Sequence, residues 1–218
     1  QKFIYYLLPG NFSEVSLILI ATIVGFLPPL TPIMILFINL VTSDIPALGL
    51  CLEEPDKTIM RQKPRNPKEG ILNSYILLKI SQVVPIIVLG TIALYMWELS
   101  VKQADVLTAQ TVAFVTLIFF ELFHVFNAKS FNNTIFSKDT LSNKSLFIGY
   151  ATSVIVTMIV LYFEPARKIF GTVALTFEQW IPVLVVAFSV IFFVEIQKVI
   201  INSEIKEHES LDIHPTRR

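Results

Sequence analysis

The sequence predicts an all-α membrane protein, a bundle of six transmembrane helices whose second helix is discontinuous. Three observations lead to this prediction: an apolar composition, six separate apolar stretches, and a proline within the second of them. Of the 218 residues, 54% are hydrophobic and only 16% are charged, whereas a soluble domain needs more charge to keep its surface wetted. A membrane-spanning helix takes about 20 mainly apolar residues, and six segments qualify: 3–26, 31–50, 72–96, 108–128, 145–163 and 180–201.

The charge balance also narrows the choice of partner. The formal net charge is zero, so the chain lacks the basic excess typical of proteins that bind nucleic acid, and we expect the lipid bilayer as a partner instead. The chain begins at Gln1 and enters an apolar helix almost at once, with no recognisable signal peptide. We therefore interpret residues 1–218 as one transmembrane domain, a fragment of a larger protein.

The distribution of basic residues predicts an orientation. Of the 17 Lys and Arg residues, only Lys102, Arg167 and Lys168 lie on the side of the membrane opposite segment 51–70. Basic residues concentrate on the cytoplasmic side of membrane proteins. We therefore expect an integral, multi-pass protein with both termini cytoplasmic. Segments 51–70 and 127–144 become cytoplasmic loops, and 202–218 becomes a cytoplasmic tail.

Acidic side chains fall in the middle of two predicted spans. Glu14 lies halfway along the first, with Asn11 three residues before it on the same helical face. Glu121 lies near the middle of the fourth and is followed by His124, which we expect to pack or form a hydrogen bond rather than bind a metal. A charge at bilayer depth costs about 2.5–3.5 kcal/mol on insertion scales, so its default interpretation is functional. A structural role remains the alternative for either carboxylate.

The second predicted span carries a denser group of oxygen-bearing side chains. Asn39, Thr42 and Ser43 are spaced i, i+3 and i+4, and Asp44 follows directly. Carboxylate, amide and hydroxyl oxygens are the ligands that hard cations select. Taken alone, Thr42 or Asn11 fits an interhelical hydrogen bond equally well. Taken together with the two glutamates, these residues predict a cation site within the membrane.

Two prolines are expected to free backbone carbonyls near this group. Pro46 has no N–H, so the carbonyl of Thr42 loses its helical partner, and Pro9 does the same to the carbonyl of Tyr5. At membrane depth a freed carbonyl must be satisfied by protein, water or an ion. Broken helices with such carbonyls coordinate ions in transporters.

Several stretches of the chain together resemble a known family. They are, in order, YLLPGNFSEV at 6–15, NLVTSDIPAL at 39–48, EPDKTIM at 54–60, PRNPKE at 64–69, Glu121 with Asn127, and Gln179-Trp180. They resemble the C-terminal half of the membrane domain of P-type cation-transporting ATPases, from the fifth to the tenth transmembrane helix, and the calcium pumps are the most similar group. The resemblance covers nearly the whole chain.

The resemblance implies the membrane part of an ATP-driven cation pump. Its cation ligands would be Asn11, Glu14, Asn39, Thr42, Ser43 or Asp44, and Glu121. Calcium is favoured as the transported cation. Ser43, however, stands where calcium pumps have an acid, so a sodium or proton pump of the same superfamily is the alternative. A secondary transporter or channel of six helices is a further rival.

The chemistry of ATP is expected elsewhere in the parent protein. Asp56-Lys57-Thr58 resembles the start of the family's phosphorylation motif, but Ile59 replaces its glycine, and the stretch falls in the loop after the second span. We therefore assign no catalytic or nucleotide-binding residue to this chain. Magnesium and ATP would bind the parent's other domains, which, with its first four helices, are the expected partners. The parent would be a P-type ATPase ion translocase.

Overall fold

The regular structure of the chain is entirely helical wherever it is described. A computed structural model describes residues 1–52, 70, 72, 74–131, 134–135 and 143–200, together with the backbone of the last helix as far as residue 212. The helices of this part of the chain are α1 (Lys2–Val24), α2 (Pro32–Phe37), a π-helical turn (Ile38–Ser43), α3 (Asp44–Cys51), α4 (Ser74–Ser100), α5 (Val106–Lys129), α6 (Lys144–Tyr162), α7 (Glu164–Phe170) and α8 (Phe177–Asp212). The predicted all-α class is confirmed.

Six helical segments of this described part are long and apolar enough to cross a membrane. They are Lys2–Val24, Pro32–Cys51, Ser74–Ser100, Val106–Lys129, Lys144–Tyr162 and Phe177–Ile200, and they match the six predicted spans in number and order. The predicted loop 51–70 falls almost wholly outside the described residues. The predicted loop 127–144 begins later than expected, because α5 continues to Lys129. The first part of the predicted tail is helical, because α8 continues to Asp212.

Helix α5 lies at the centre of the bundle. In its most apolar stretch 72% of the residues are buried, against 28–50% for the other five spans, and it packs against α1, α4, α8 and the second span. Large side chains such as Phe114, Leu117 and Phe120 are fully buried. A helix that is apolar all round must be surrounded by other helices. Glu121 is therefore placed deep inside the bundle, where a charge is costly.

The second span is helical from Pro32 to Cys51. Its α-helical hydrogen-bonding pattern is interrupted by the π-helical turn, which is the form that the discontinuity takes. Thr31 caps its start by accepting a hydrogen bond from the backbone N–H of Met34. Within the turn, the N–H of Asp44 reaches the carbonyl of Asn39, five residues back. Such turns occur inside α-helices and are frequent at functional sites.

Helix α6 packs backbone to backbone against the end of this span. A Cβ on Gly49 would lie 2.7 Å from the Cα of Leu146, and one on Gly149 would lie 3.0 Å from the carbonyl oxygen of Ile45. Asn143 caps the start of α6 and also donates its amide to the Gly49 carbonyl at 2.9 Å. Small residues let membrane helices approach this closely, so α6 and the second span form a tightly joined pair.

Lys79 of α4 is buried in a cage of aromatic rings. Its side chain is 3% exposed, and its ammonium lies 3.9 Å from the ring centroid of Phe131, 4.4 Å from that of Tyr75 and 5.7 Å from that of Tyr5. The ammonium also donates a hydrogen bond to the Phe131 carbonyl at 2.9 Å. Aromatic faces stabilise a buried cation, so Lys79 ties α4 to the chain segment that follows α5.

Candidate cation site

Glu14 of α1 lies within the bundle, with one carboxylate oxygen in a hydrogen bond and the other without a partner among the described residues. The residue is 5% exposed, and its Oε2 accepts a hydrogen bond from the Asn39 amide nitrogen at 2.7 Å. The same nitrogen donates to the Ile35 carbonyl at 3.0 Å, which fixes the amide's orientation. The other oxygen of Glu14, Oε1, is buried and has no hydrogen-bond partner among the described residues. A buried polar atom without a partner calls for a water or an ion.

Glu121 approaches the same region from α5. It is 3% exposed, and its Oε2 accepts a short hydrogen bond from the Ser43 hydroxyl. Gly10 of α1 lies directly beside it, since a Cβ at position 10 would come within 3.0 Å of the Glu121 Cδ and nearer still to Oε1. Gly10 and Glu14 lie one helical turn apart on the buried face of α1. Two acids from different helices therefore converge, and their mutual repulsion favours a cation between them.

Thr42 is fully buried in the π-helical turn. Its hydroxyl donates to the Ile38 carbonyl at 2.9 Å, so the lone pairs of its oxygen remain available. Its own carbonyl, which Pro46 deprives of a helical N–H, accepts a hydrogen bond from the Tyr6 hydroxyl at 3.2 Å. The freed carbonyl therefore has a protein partner on α1.

The second freed carbonyl, that of Tyr5, also has a protein partner. His124 Nε2 lies 2.9 Å from it, and because a carbonyl only accepts, Nε2 carries the hydrogen. The His124 ring packs edge-on against the Tyr5 ring at 4.9 Å. His124 thus forms a hydrogen bond across helices, in keeping with the role that the sequence indicated.

Two of the predicted ligands, Asn11 and Asp44, are exposed rather than buried. The buried face of α1 runs through Tyr6, Gly10 and Glu14, and Asn11, one residue on from Gly10, is exposed. Asp44 is exposed as well, because the π-helical turn directs Ser43 toward α5 and one helical step rotates the next side chain by about 100°. As ion ligands, Asn11 and Asp44 stay predictions.

The structure brings together the remaining predicted residues, Glu14, Asn39, Thr42, Ser43 and Glu121, which we call the candidate cation site. It offers carboxylate, amide and hydroxyl oxygens, the donor types that suit hard cations. Within the described ranges, no three or more His, Cys, Asp or Glu side chains form a cluster that could hold a metal. The site therefore consists of two acids supplemented by neutral oxygens.

Two residues next to the site, Tyr6 and Gly10, were not identified from sequence. Tyr6, Gly10 and Glu14 are spaced four apart, and such residues share one face of a helix. This spacing was the signal that could have found them. It does not show which partner the face meets, because that depends on how α1 is rotated against the second span and α5.

Comparison with known proteins agrees with this architecture. Residues 27–200 match the family described as cation transporting ATPase, C-terminus. A calcium-transporting ATPase of Bacillus subtilis is 35% identical over 184 residues, which are 84% of this chain and 21% of that protein. The calcium-transporting ATPase type 2C member 1 of Homo sapiens is 31% identical over 214 residues, 96% of this chain and 23% of that protein.

This chain thus spans about a fifth of the length of these relatives. The family match covers most of it and includes five of the six membrane-spanning helices. The alignment with the human protein covers nearly all of it. The chain therefore belongs to the family of cation-transporting ATPase C-terminal domains, which form a membrane part of those proteins.

Proposed function

We propose that this chain is the membrane part of an ATP-driven P-type cation pump and supplies part of its ion site. The observation that carries the proposal is the convergence of two buried acids, Glu14 and Glu121, on polar residues of a π-helical turn. One oxygen of Glu14 has no hydrogen-bond partner among the described residues. The named relatives transport calcium, and we propose calcium as the cation.

The hydrogen bonds of the site leave oxygens available for the cation. Asn39 donates its amide nitrogen to Glu14 and to Ile35, which leaves its amide oxygen to accept. Thr42 gives its hydrogen to the Ile38 carbonyl, which leaves its oxygen lone pairs. Ser43 donates to one oxygen of Glu121, so the carboxylate is held in place while its other oxygen can coordinate. A calcium ion takes 6–8 oxygen ligands, so further ligands must come from elsewhere.

We propose that those further ligands come from the parent protein. Asn11 and Asp44 lie on exposed parts of α1 and the second span, and a polar side chain at bilayer depth faces protein or a water-filled cavity rather than lipid. The parent's other helices would cover these faces. ATP and magnesium would act in its other domains, and phosphorylation there would tilt these helices to change access to the ion.

The test is the formation of phosphoenzyme by the full-length protein. Glu14→Gln and Glu121→Gln each keep the shape of the side chain and remove its charge. We expect both to abolish ion-dependent phosphorylation by ATP, because a divalent cation is held chiefly by carboxylates. Phosphorylation by inorganic phosphate without the ion should persist, which shows that the protein is folded.

Glu98→Gln is the matched control. Glu98 is also a glutamate that is 3% exposed in a membrane-spanning helix, but its hydrogen-bond partner is Gln179, outside the candidate cation site. We expect its replacement to leave ion-dependent phosphorylation near the wild-type level. Normal ion-dependent phosphorylation in Glu14→Gln would contradict the proposed function.

A further inference from the structure

Two neighbouring carbonyls of the π-helical turn are affected by the same proline. In an α-helix a carbonyl accepts from the N–H four residues on, and in a π-helix from the one five residues on. Pro46 lies four residues after Thr42 and five after Val41, and it has no N–H to donate. Each carbonyl accepts from a hydroxyl of another helix, Thr42 from Tyr6 at 3.2 Å and Val41 from Ser153 at 3.1 Å.

Ser153 reaches the second span because α6 packs so closely against it. The residue is fully buried and lies one helical turn after Gly149, where an added Cβ would be only 3.0 Å from the Ile45 carbonyl oxygen. A side chain as short as serine spans the gap between two helices only at such a crossing. Helix α6 supplies none of the oxygens of the candidate cation site, so its contact with Val41 acts through the second span.

The bond to Val41 opposes the bonds on the other side of the turn. The Val41 carbonyl is held toward α6, while the hydroxyl of Ser43, two residues on, is held toward α5 by Glu121. Together these bonds define how the turn is rotated about its axis. Without the Ser153 hydroxyl the Val41 carbonyl loses its hydrogen bond to α6, so the turn is no longer held toward that helix. Thr42 and Ser43 would move with it.

We infer that Ser153 is a positioning residue for the cation site, which it acts on by holding the Val41 carbonyl and so fixing the rotation of the π-helical turn. The inference rests on the proposed function, since it concerns the same site. It adds to that site a residue on a helix that contributes no ligand.

The inference is tested by Ser153→Ala in the full-length protein. We expect the calcium concentration for half-maximal phosphoenzyme formation by ATP to rise about fivefold, the effect of losing one buried hydrogen bond. The maximal phosphoenzyme level, and phosphorylation by inorganic phosphate without calcium, should not change. Ser153→Cys has a similar size and a weaker donor, so its half-maximal concentration should lie between those of the wild type and Ser153→Ala.

Thr157→Val is the matched control on the same helix. Thr157 is also fully buried, but among the described residues its hydroxyl donates to the Ser153 carbonyl of its own helix, at 2.7 Å, and not to another helix. Its loss should leave calcium affinity unchanged. An unchanged affinity in Ser153→Ala, or an equal shift in Thr157→Val, would overturn the inference. In either case, loss of ion-dependent phosphorylation in Glu14→Gln would leave the proposed function standing. A wild-type protein with no ion-dependent phosphoenzyme would refute both.

Discussion

At the scale of single residues, a close contact in the candidate cation site joins Gly10 of α1 to Glu121 of α5. A methyl group at position 10 would overlap the carboxylate, so Gly10→Ala should turn Glu121 away and break its bond to Ser43. Overpacking of this kind typically costs about 1–3 kcal/mol. We therefore expect the calcium concentration for half-maximal phosphoenzyme formation to rise by about tenfold or more.

The control for this change is Gly70→Ala. Among the described residues, a Cβ at position 70 would meet its nearest neighbour at 3.8 Å, an ordinary contact, so this replacement adds a methyl group without the overlap that it causes at position 10. It should leave calcium affinity as in the wild type. If Gly10→Ala bound calcium equally well, the close approach of α1 to Glu121 would have no bearing on the ion.

At the scale of single residues, the sequence identified several residues of the site but not the residues that contact them. Glu14, Asn39 and Glu121 could be identified because polar groups at bilayer depth are rare and therefore conspicuous. Their partners could not, because the contacts cross between helices. The Tyr6–Thr42 bond spans 36 positions of sequence and the Ser153–Val41 bond spans 112. A serine in an apolar helix looks the same whether it bonds to its own backbone or to another helix.

At the scale of helices, the crossing of α6 and the second span depends on Gly49. A Cβ there would lie 2.7 Å from the Leu146 Cα, and backbone cannot rotate away as a side chain can. We expect Gly49→Ala to lower the stability of the protein by about 1–3 kcal/mol through overpacking. The measurement is the thermal unfolding midpoint of the full-length protein in detergent.

Gly70→Ala serves again as the comparison, since it makes the same chemical change and its added Cβ would lie 3.8 Å from its nearest neighbour among the described residues. Its unfolding midpoint should match that of the wild type. A midpoint of Gly49→Ala equal to that of Gly70→Ala would mean that the two helices separate without cost, contrary to their close packing.

The number and order of the membrane-spanning helices followed from apolar length, but their exact ends, their internal geometry and the short helix between two of them did not. Helix α4 ends at Ser100, beyond the predicted 96, because hydrogen bonding continues after the apolar stretch ends. Helix α7 was missed because it has only seven residues, Glu164–Phe170, and several are charged. The prediction of a discontinuity in the second span depended on Pro46, yet the π-helical turn, Ile38–Ser43, precedes that proline.

At the scale of the whole molecule, the six spans found among the described residues are an even number, so they return the chain to the side from which it started. The bias of Lys and Arg predicts that this side is cytoplasmic. Cys51 is the sole cysteine and is exposed. The test uses a variant of the full-length parent protein in which every cysteine outside this chain is replaced. A membrane-impermeant maleimide should label its Cys51 in inside-out vesicles only. Lys102→Cys, with Cys51 replaced, should be labelled in right-side-out vesicles only; the reverse pattern would invert the topology.

The identity of the ion is also a question for the whole of the proposed pump. Asp44 is exposed and Ser43 faces Glu121, so the described part of the site holds two acids. If Asp44 contributes through contact with the parent's other helices, micromolar calcium should stimulate phosphoenzyme formation and Asp44→Asn should weaken that stimulation. Stimulation by sodium that is indifferent to Asp44→Asn would rule out calcium. Calcium and sodium should each be varied alone.

The number of residues in the π-helical turn determines whether Ser43 or Asp44 faces α5. Its hydrogen bonds span five residues, against four in an α-helix, so the turn accommodates one residue more than an α-helical turn would. One residue is a rotation of about 100°, the angle that separates Ser43 from Asp44. The side chain that the helix directs toward α5 therefore depends on register as well as on composition, and deleting one residue from Ile38–Ser43 would exchange a neutral ligand for a charged one.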